Sequence, residues 1–397
     1  MKRNLLVGLA LLAGIAALGV SQRLLEQTAA AQAAGAVQAP RFEVDPMWPK
    51  PLPNHWVYGN VIGVGVDSRD HIYIIHRGAG SLEPKEIYAI ANPPASECCV
   101  PAPPVVEFDA DGNFVRAWGG PGQGYEWPES NHGISPDAKG NLFIGGNGGN
   151  DGHVLKFTQD GKFVKQFGFA YASAGSNDMW AFSKVAKVSI DDAANEAYVS
   201  DGYGNHRVAV IDMDTGKIKR YWGAYGNKPD DTPLGLYNPD APLAQQFRNP
   251  VHCAEPSKDG FVYVCDRVND RIQVFTKDGK FVKETQVLKN TRGDGAVWDI
   301  AFSKDAAQKY FYLADGANEK IHVFDRASLT ELTSFGDGGR QPGQFYAVHS
   351  IATDSKGNVY TTETYRGQRL QKFVYKGLAA VTKPNQGTVW PAKTSMH

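Results

Sequence analysis

What the chain has little of narrows its class. Its 397 residues carry 41 lysines and arginines against 42 aspartates and glutamates, a formal net charge of -1. A chain with no excess of one sign has no electrostatic hold on nucleic acid or on an anionic membrane, and neither is expected as a partner. Beyond residue 35 the periodicity of amphipathic helices is missing, and no later apolar run approaches the roughly 20 residues that cross a bilayer. Cysteine is scarce, at Cys98, Cys99, Cys253 and Cys265. Cys253 and Cys265 flank one predicted hairpin and are placed to pair across it in an oxidising compartment. Cys98 and Cys99 are adjacent within a proline-rich insertion, Pro93-Pro94 to Pro103-Pro104. Adjacent cysteines rarely bridge, because vicinal geometry is strained, and these two are read as a loop feature and not a metal site.

The N-terminus reads as a targeting segment. Lys2-Arg3 precedes a nearly all-apolar stretch from Leu5 to Val20, and Ala31-Gln32-Ala33 offers a small-residue cleavage site. Residues 1–33 are therefore expected to be a signal peptide, with an uncleaved anchor as the alternative. There is neither a twin arginine nor a lipobox cysteine. The expected location is exported, periplasmic or secreted, with no membrane association after cleavage.

What is abundant is glycine, at 43 residues, and aromatics, at 11%. Both suit many short strands joined by tight turns. An internal repeat carries them. Val106-Glu107-Phe108-Asp109-Ala110-Asp111-Gly112-Asn113-Phe114-Val115-Arg116 recurs as Leu155-Lys156-Phe157 with Asp160-Gly161-Lys162-Phe163-Val164-Lys165. It recurs again as Val274-Phe275 with Asp278-Gly279-Lys280-Phe281-Val282-Lys283. Units close on an aromatic and a glycine: Trp118-Gly119, Phe167-Gly168, Trp222-Gly223 and Phe335-Gly336. Inner hairpins precede these units, giving six repeats of about four strands, the period of propeller blades. The fold expected is all-β, a six-bladed propeller over residues 55–375, in preference to two stacked sandwiches. Residues 34–54 are an N-terminal segment, and 376–397 an irregular tail. The sixth unit lacks its outer strand, and Phe42-Glu43-Val44-Asp45 can supply it and close the ring.

Three histidines occupy one phase of this repeat. His132 lies five residues before Asp137, His349 five before Asp354, and His252 holds the same place before Asp259-Gly260. They fall in units two, four and six, a third of a turn apart around a six-fold axis, so side chains at one height meet at the centre. The matching positions in units one, three and five, Ile62, Ala186 and Trp298, offer no ligand. Three neutral imidazoles at about 2.0–2.1 Å with one open position is the pattern of catalytic zinc. One histidine alone is more often a packed core residue; three in phase reverse that. His55, His71, His153, His206 and His322 lack the phase and are assigned surface or packing roles. The second strand of each blade returns to the same rim, where Arg77, Tyr203 and Arg267 stand. An arginine fork suits a carboxylate, and a tyrosine beside a metal and two guanidiniums is a candidate base.

With these residues assembled, the chain resembles the NHL-repeat propeller of peptidyl-α-hydroxyglycine α-amidating lyases over roughly residues 55 to 373. The most specific marks are Val199-Ser200-Asp201-Gly202-Tyr203-Gly204-Asn205-His206-Arg207 and Asp266-Arg267-Val268-Asn269-Asp270-Arg271. The resemblance implies zinc on His132, His252 and His349, a catalytic Tyr203, and active-site Arg77 and Arg267. It also implies a channel calcium on the backbone carbonyls of Val64 and Ile134 with an aspartate. Ser350 stands at that aspartate position, and a hydroxyl is a poor calcium ligand beside a carboxylate. Calcium binding weaker than in the family, or none, is expected. The function expected is an exported, monomeric zinc lyase that splits a small hydroxy-acid amide or peptide of the peptidyl-α-hydroxyglycine kind into an amide and glyoxylate. The alternatives are a non-catalytic propeller that binds protein or glycan at its rim, and a calcium lactonase, which would need acidic channel ligands absent from the matching positions.

Overall fold

Each Asp-Gly turn of the repeat reverses the chain, and the hairpins assemble into six four-stranded antiparallel sheets around one axis. The computed structural model describes residues 36–171 and 173–391. The segment read as a signal peptide lies outside the described residues. The inner strands of blades one to six are Val61–Val66, Asn131–Pro136, Lys187–Asp191, Val251–Pro256, Asp299–Phe302 and Val348–Thr353. Each packs beside the next, and the sixth returns to the first. The second strands are Ile72–His76, Asn141–Gly146, Glu196–Asp201, Phe261–Asp266, Tyr310–Asp315 and Val359–Glu363. Among the described residues the only helical pieces are short 3₁₀ turns.

The ring closes as the sequence predicts. Gln38–Asp45 pairs antiparallel with Leu370–Ala380 and is the outer strand of the sixth blade. Phe42 is buried there among the Tyr312, Phe335 and Tyr375 rings. Two details differ from the sequence reading. The strand Leu370–Ala380 carries the sheet past position 375, because the closing strand pairs with it out to Gln38↔Ala380. Cys98 and Cys99 are bonded to each other, where adjacency argued against a bridge. The peptide between them is cis, their Cα atoms are 3.0 Å apart, and the sulfurs stand side by side. The second disulfide, Cys253–Cys265, crosses its hairpin as expected.

The repeat signature has a packing cause. The aromatic that ends one blade lies against the Asp-Gly turn of the next. A Cβ on Gly161 would come within 2.7 Å of the Trp118 indole, and one on Gly279 within 2.8 Å of Trp222. Both glycines also hold positive φ, +87° and +86°, which an L side chain rarely adopts. Trp48, just after the closing strand, meets Gly112 of the first blade in the same way. Six apolar clusters fill the seams, one between each pair of neighbouring blades. Blade-to-blade burial of this kind is the main favourable term of the fold.

Candidate metal centre

His132, His252 and His349 are each the second residue of their inner strand. At that position every one of these strands has a bulge: the register shifts between His132 and Ile134, between Val251 and Cys253, and between Val348 and Ser350. A bulge bends the strand and re-aims a side chain, here toward the axis. The three rings form a near-equilateral triangle, with centroids 5.2, 4.8 and 4.8 Å apart. All three are buried.

The imidazoles are held in a metal-ready state. Nδ1 of His132 lies 2.6 Å from the Ala186 carbonyl oxygen, and Nδ1 of His252 lies 2.5 Å from that of Trp298. A carbonyl only accepts, so Nδ1 carries the proton and the Nε2 lone pair faces the centre. Ala186 and Trp298 are the non-ligand positions of the sequence reading; their backbones orient the ligands that their side chains do not supply. Nδ1 of His349 is buried without a partner. Burial pushes the His132 ring down to about 3, with the Arg77 and Arg267 guanidiniums acting in the same direction. Burial likewise holds His252 and His349 well below their ordinary value, helped by the neighbouring cations and rings. Neutral rings are the form that binds a metal.

The donor set fits an ion. One ligand atom from each histidine lies within 4.8 Å of the other two. Bonds of about 2.0–2.1 Å bring such a set together with a small inward shift of the rings. The three histidines were the only such group of potential ligands found among the described residues.

Tyr203 and Arg267 complete the centre. The Tyr203 hydroxyl lies 3.1 Å from Nε2 of both His132 and His252. Nη1 of Arg267 donates to the same oxygen at 3.1 Å. Tyr203 thus touches two ligand atoms directly, closer than a residue standing beside an open position. The Arg267 guanidinium stacks 4.6 Å over the Trp298 ring and reaches Asp294. Arg77 sits nearby, but its head group donates to Asn147 Oδ1 at 3.0 Å and not to Tyr203. Its backbone position is set by His76, whose Nδ1 accepts from the Gly59 and Gly78 amides while Nε2–H donates to Pro103. A cleft of about 690 Å³ adjoins Arg267 and is lined by Leu236, Tyr237, Arg248, Arg292 and Asp294 among others.

The motifs around Tyr203 and Arg267 are structural locks. Nε of Arg207 donates to Asp201 at 2.8 Å, and Nη2 of Arg271 to Asp266 at 2.7 Å, with all four side chains fully buried. Each pair pins the turn that presents its neighbour, Tyr203 in one and Arg267 in the other. Blade five repeats the device with His322 against Asp315 at 3.1 Å, and blade six with Arg369 against Glu363 at 2.6 Å.

The channel below the triad holds a cation of the protein's own. Nζ of Lys187 lies 2.7 Å from Asp299 and 2.6 Å from Glu255. Ser350 donates its hydroxyl to Asp299 at 2.7 Å. The sequence reading missed Lys187 and Asp299 as partners. The one available signal was that each directly follows a position matching a histidine, Ala186 and Trp298. Ser350, at the position considered for a calcium carboxylate, is thus engaged with a carboxylate of blade five.

Fold and centre together define a six-bladed β-propeller with a buried histidine triad on its axis. The comparisons agree with the propeller fold, and the resemblance to NHL-repeat proteins read from the sequence holds. The chain is 24% identical to NHL repeat-containing protein 3 of Mus musculus, covering 85% of each. It is 26% identical to peptidyl-glycine alpha-amidating monooxygenase B of Xenopus laevis over 77% of this chain, and 25% identical to peptidylglycine alpha-amidating monooxygenase of Rattus norvegicus over 57%. The match takes in only 33% and 22% of those two longer proteins. No protein-family model matches the chain. A protein of unknown function from Bacteroides thetaiotaomicron shares the fold, with a TM-score of 0.51 at 12% identity over 86% of this chain and 76% of its own.

Proposed function

We propose that the protein is an exported, monomeric zinc lyase that cleaves an N-acyl hemiaminal of the peptidyl-α-hydroxyglycine kind to an amide and glyoxylate. The observation that carries the reading is the convergence of three neutral, inward-facing imidazoles with Tyr203 and Arg267 on one point of the axis. The names of the two monooxygenases, which refer to amidation at a peptidyl-glycine, support the substrate class. Export rests on residues 1–33.

His132, His252 and His349 would hold the zinc. When bound, the ion would supply Lewis-acid polarisation at the oxygens of the substrate. Arg267, anchored over Trp298, would bind the substrate carboxylate, with Arg77 on the opposite side after release from Asn147. Tyr203 would serve as the general base that takes the proton of the hemiaminal hydroxyl. The carbon–nitrogen bond then breaks, its electron pair leaves with nitrogen, and the hydroxyl carbon becomes the aldehyde of glyoxylate. Tyr203 returns the proton to the amide nitrogen, so protons balance over the cycle. A proton-transfer group in this role contributes about 10²–10⁴ in rate.

The test is metal analysis of the purified protein with an assay of α-hydroxyhippurate cleavage to benzamide and glyoxylate. One zinc per chain with glyoxylate release is expected. Protein that takes up no metal and releases no glyoxylate would support the alternative, a propeller that binds protein or glycan at its rim.

A further inference from the structure

We infer that Lys187 and Asp299 are a positioning pair for the histidine triad, a buried ion pair that holds the carbonyls orienting two of its members. The inference rests on the reading of the triad as a metal centre.

Covalent adjacency is the first observation. Lys187 directly follows Ala186, whose carbonyl receives the His132 Nδ1–H bond. Asp299 directly follows Trp298, whose carbonyl receives that of His252. The ion pair therefore ties together, across the channel, the two peptide groups that fix two ligand rings. Its geometry is tight: Nζ is 2.7 and 3.0 Å from the two Asp299 oxygens. Both side chains are nearly closed to solvent, at 11% and 2% exposure. Glu255, three residues after His252 on the same strand, adds a second carboxylate at 2.6 Å.

The third ligand is reached through the other face of the same carboxylate. Oδ2 of Asp299 accepts from the Ser350 hydroxyl at 2.7 Å and from the Ile351 amide at 3.1 Å. These are the two residues after His349. One buried pair thus braces the backbone beside all three ligands, which come from blades two, four and six. A buried ion pair is costly unless its geometry is good, and losing one partner leaves the other charge unpaired. Groups that orient metal ligands from behind typically change metal affinity about 10–100-fold when removed.

Lys156 is the natural comparison. It is also buried, donating to the Met213 carbonyl at 3.1 Å and lying 3.9 Å from Asp137, but none of its partners adjoins the triad. The experiment measures Co²⁺ affinity by chelator competition and the visible spectrum of the cobalt-loaded protein, for wild type, Lys187→Met, Asp299→Asn and Lys156→Met. Lys187→Met and Asp299→Asn are expected to weaken Co²⁺ binding about 10–100-fold and to shift the cobalt bands. Lys156→Met is expected to lower the melting temperature and leave both readouts in place. If Lys187→Met does not fold, Asp299→Asn, nearly the same shape, decides alone. Native affinity and spectrum in the folded variants overturn the inference while leaving the metal centre standing. Wild-type protein that binds no cobalt removes the metal centre, and this inference with it.

Discussion

The Tyr203 hydroxyl lies 3.1 Å from Nε2 of His252, in the space the triad encloses on its open side. It has one proton to give, two ring nitrogens within reach, and a guanidinium donating to its oxygen. The contact joins the turn after the second strand of blade three to the inner strand of blade four. The residues proposed for metal binding and the one proposed for proton transfer thus meet at one point but are different side chains.

That separation is testable. His252→Ala removes one of three bonds, and is expected to weaken zinc by several kcal/mol, roughly a third of the 10–16 kcal/mol of a full structural site. Tyr203→Phe keeps all three bonds and is expected to retain zinc while losing about 10²–10⁴ in turnover. Zinc content and glyoxylate release are measured on both variants. Full zinc occupancy after His252→Ala would remove the triad from consideration as the metal site, and unchanged turnover in Tyr203→Phe would remove the assigned base.

His322 links stability to pH. Burial works against its charge, but the hydrogen bonds and charges of Asp315 and Glu331 outweigh it and raise the ring to about 9. Its partners lie 3.1 and 2.8 Å away. A raised value means the fold favours the protonated ring. The contribution, on the order of 3 kcal/mol, is complete below an unfolded value near 6.5 and is lost as pH rises through about 9. Chemical denaturation between pH 6 and 10 should show this decline, and His322→Gln should flatten it. A decline of equal depth in the variant would assign the effect elsewhere.

Phe42 tests the closure of the ring. It is 1% exposed, with the Tyr312 and Phe335 ring centroids at 5.2 and 5.3 Å. Phe42→Ala is expected to cost about 3–5 kcal/mol, the usual range for a buried phenylalanine. A loss below 1 kcal/mol in urea titration would mean that the closing strand adds little to the sixth blade.

Calcium is expected to matter little. Ser350 already donates to Asp299, and Lys187 supplies the positive charge that the channel carboxylates face. Chelation with EGTA should leave the melting temperature unchanged. A drop of many degrees, restored by calcium, would show that Val64, Ile134 or other oxygens hold the ion after all.

Much of the centre was legible because a repeat maps sequence phase onto spatial position. His132, His252 and His349 share one strand position, so the period alone brought them to the axis. Tyr203 and Arg267 were legible for the same reason, at the ends of second strands. Arg77 was placed at the right rim, but its bond to Asn147, 70 residues away, was not visible. The bridge between Cys98 and Cys99 was not legible, because adjacent cysteines rarely pair.

By itself the sequence determined the number of blades, the strand that closes them and the three residues that meet at the centre. These follow from local chemistry repeated at a fixed period: alternating apolar strands, Asp-Gly turns that only glycine fits, and aromatics that cover those turns. Only the tertiary structure decided which nitrogen of each ring faces inward, that Tyr203 touches two of them, and that Lys187 pairs with Asp299 from 112 residues away. Hydrogen-bond and ion-pair partners are chosen by distance and direction in space. A chain that circles an axis brings residues of different blades together at spacings no local pattern records.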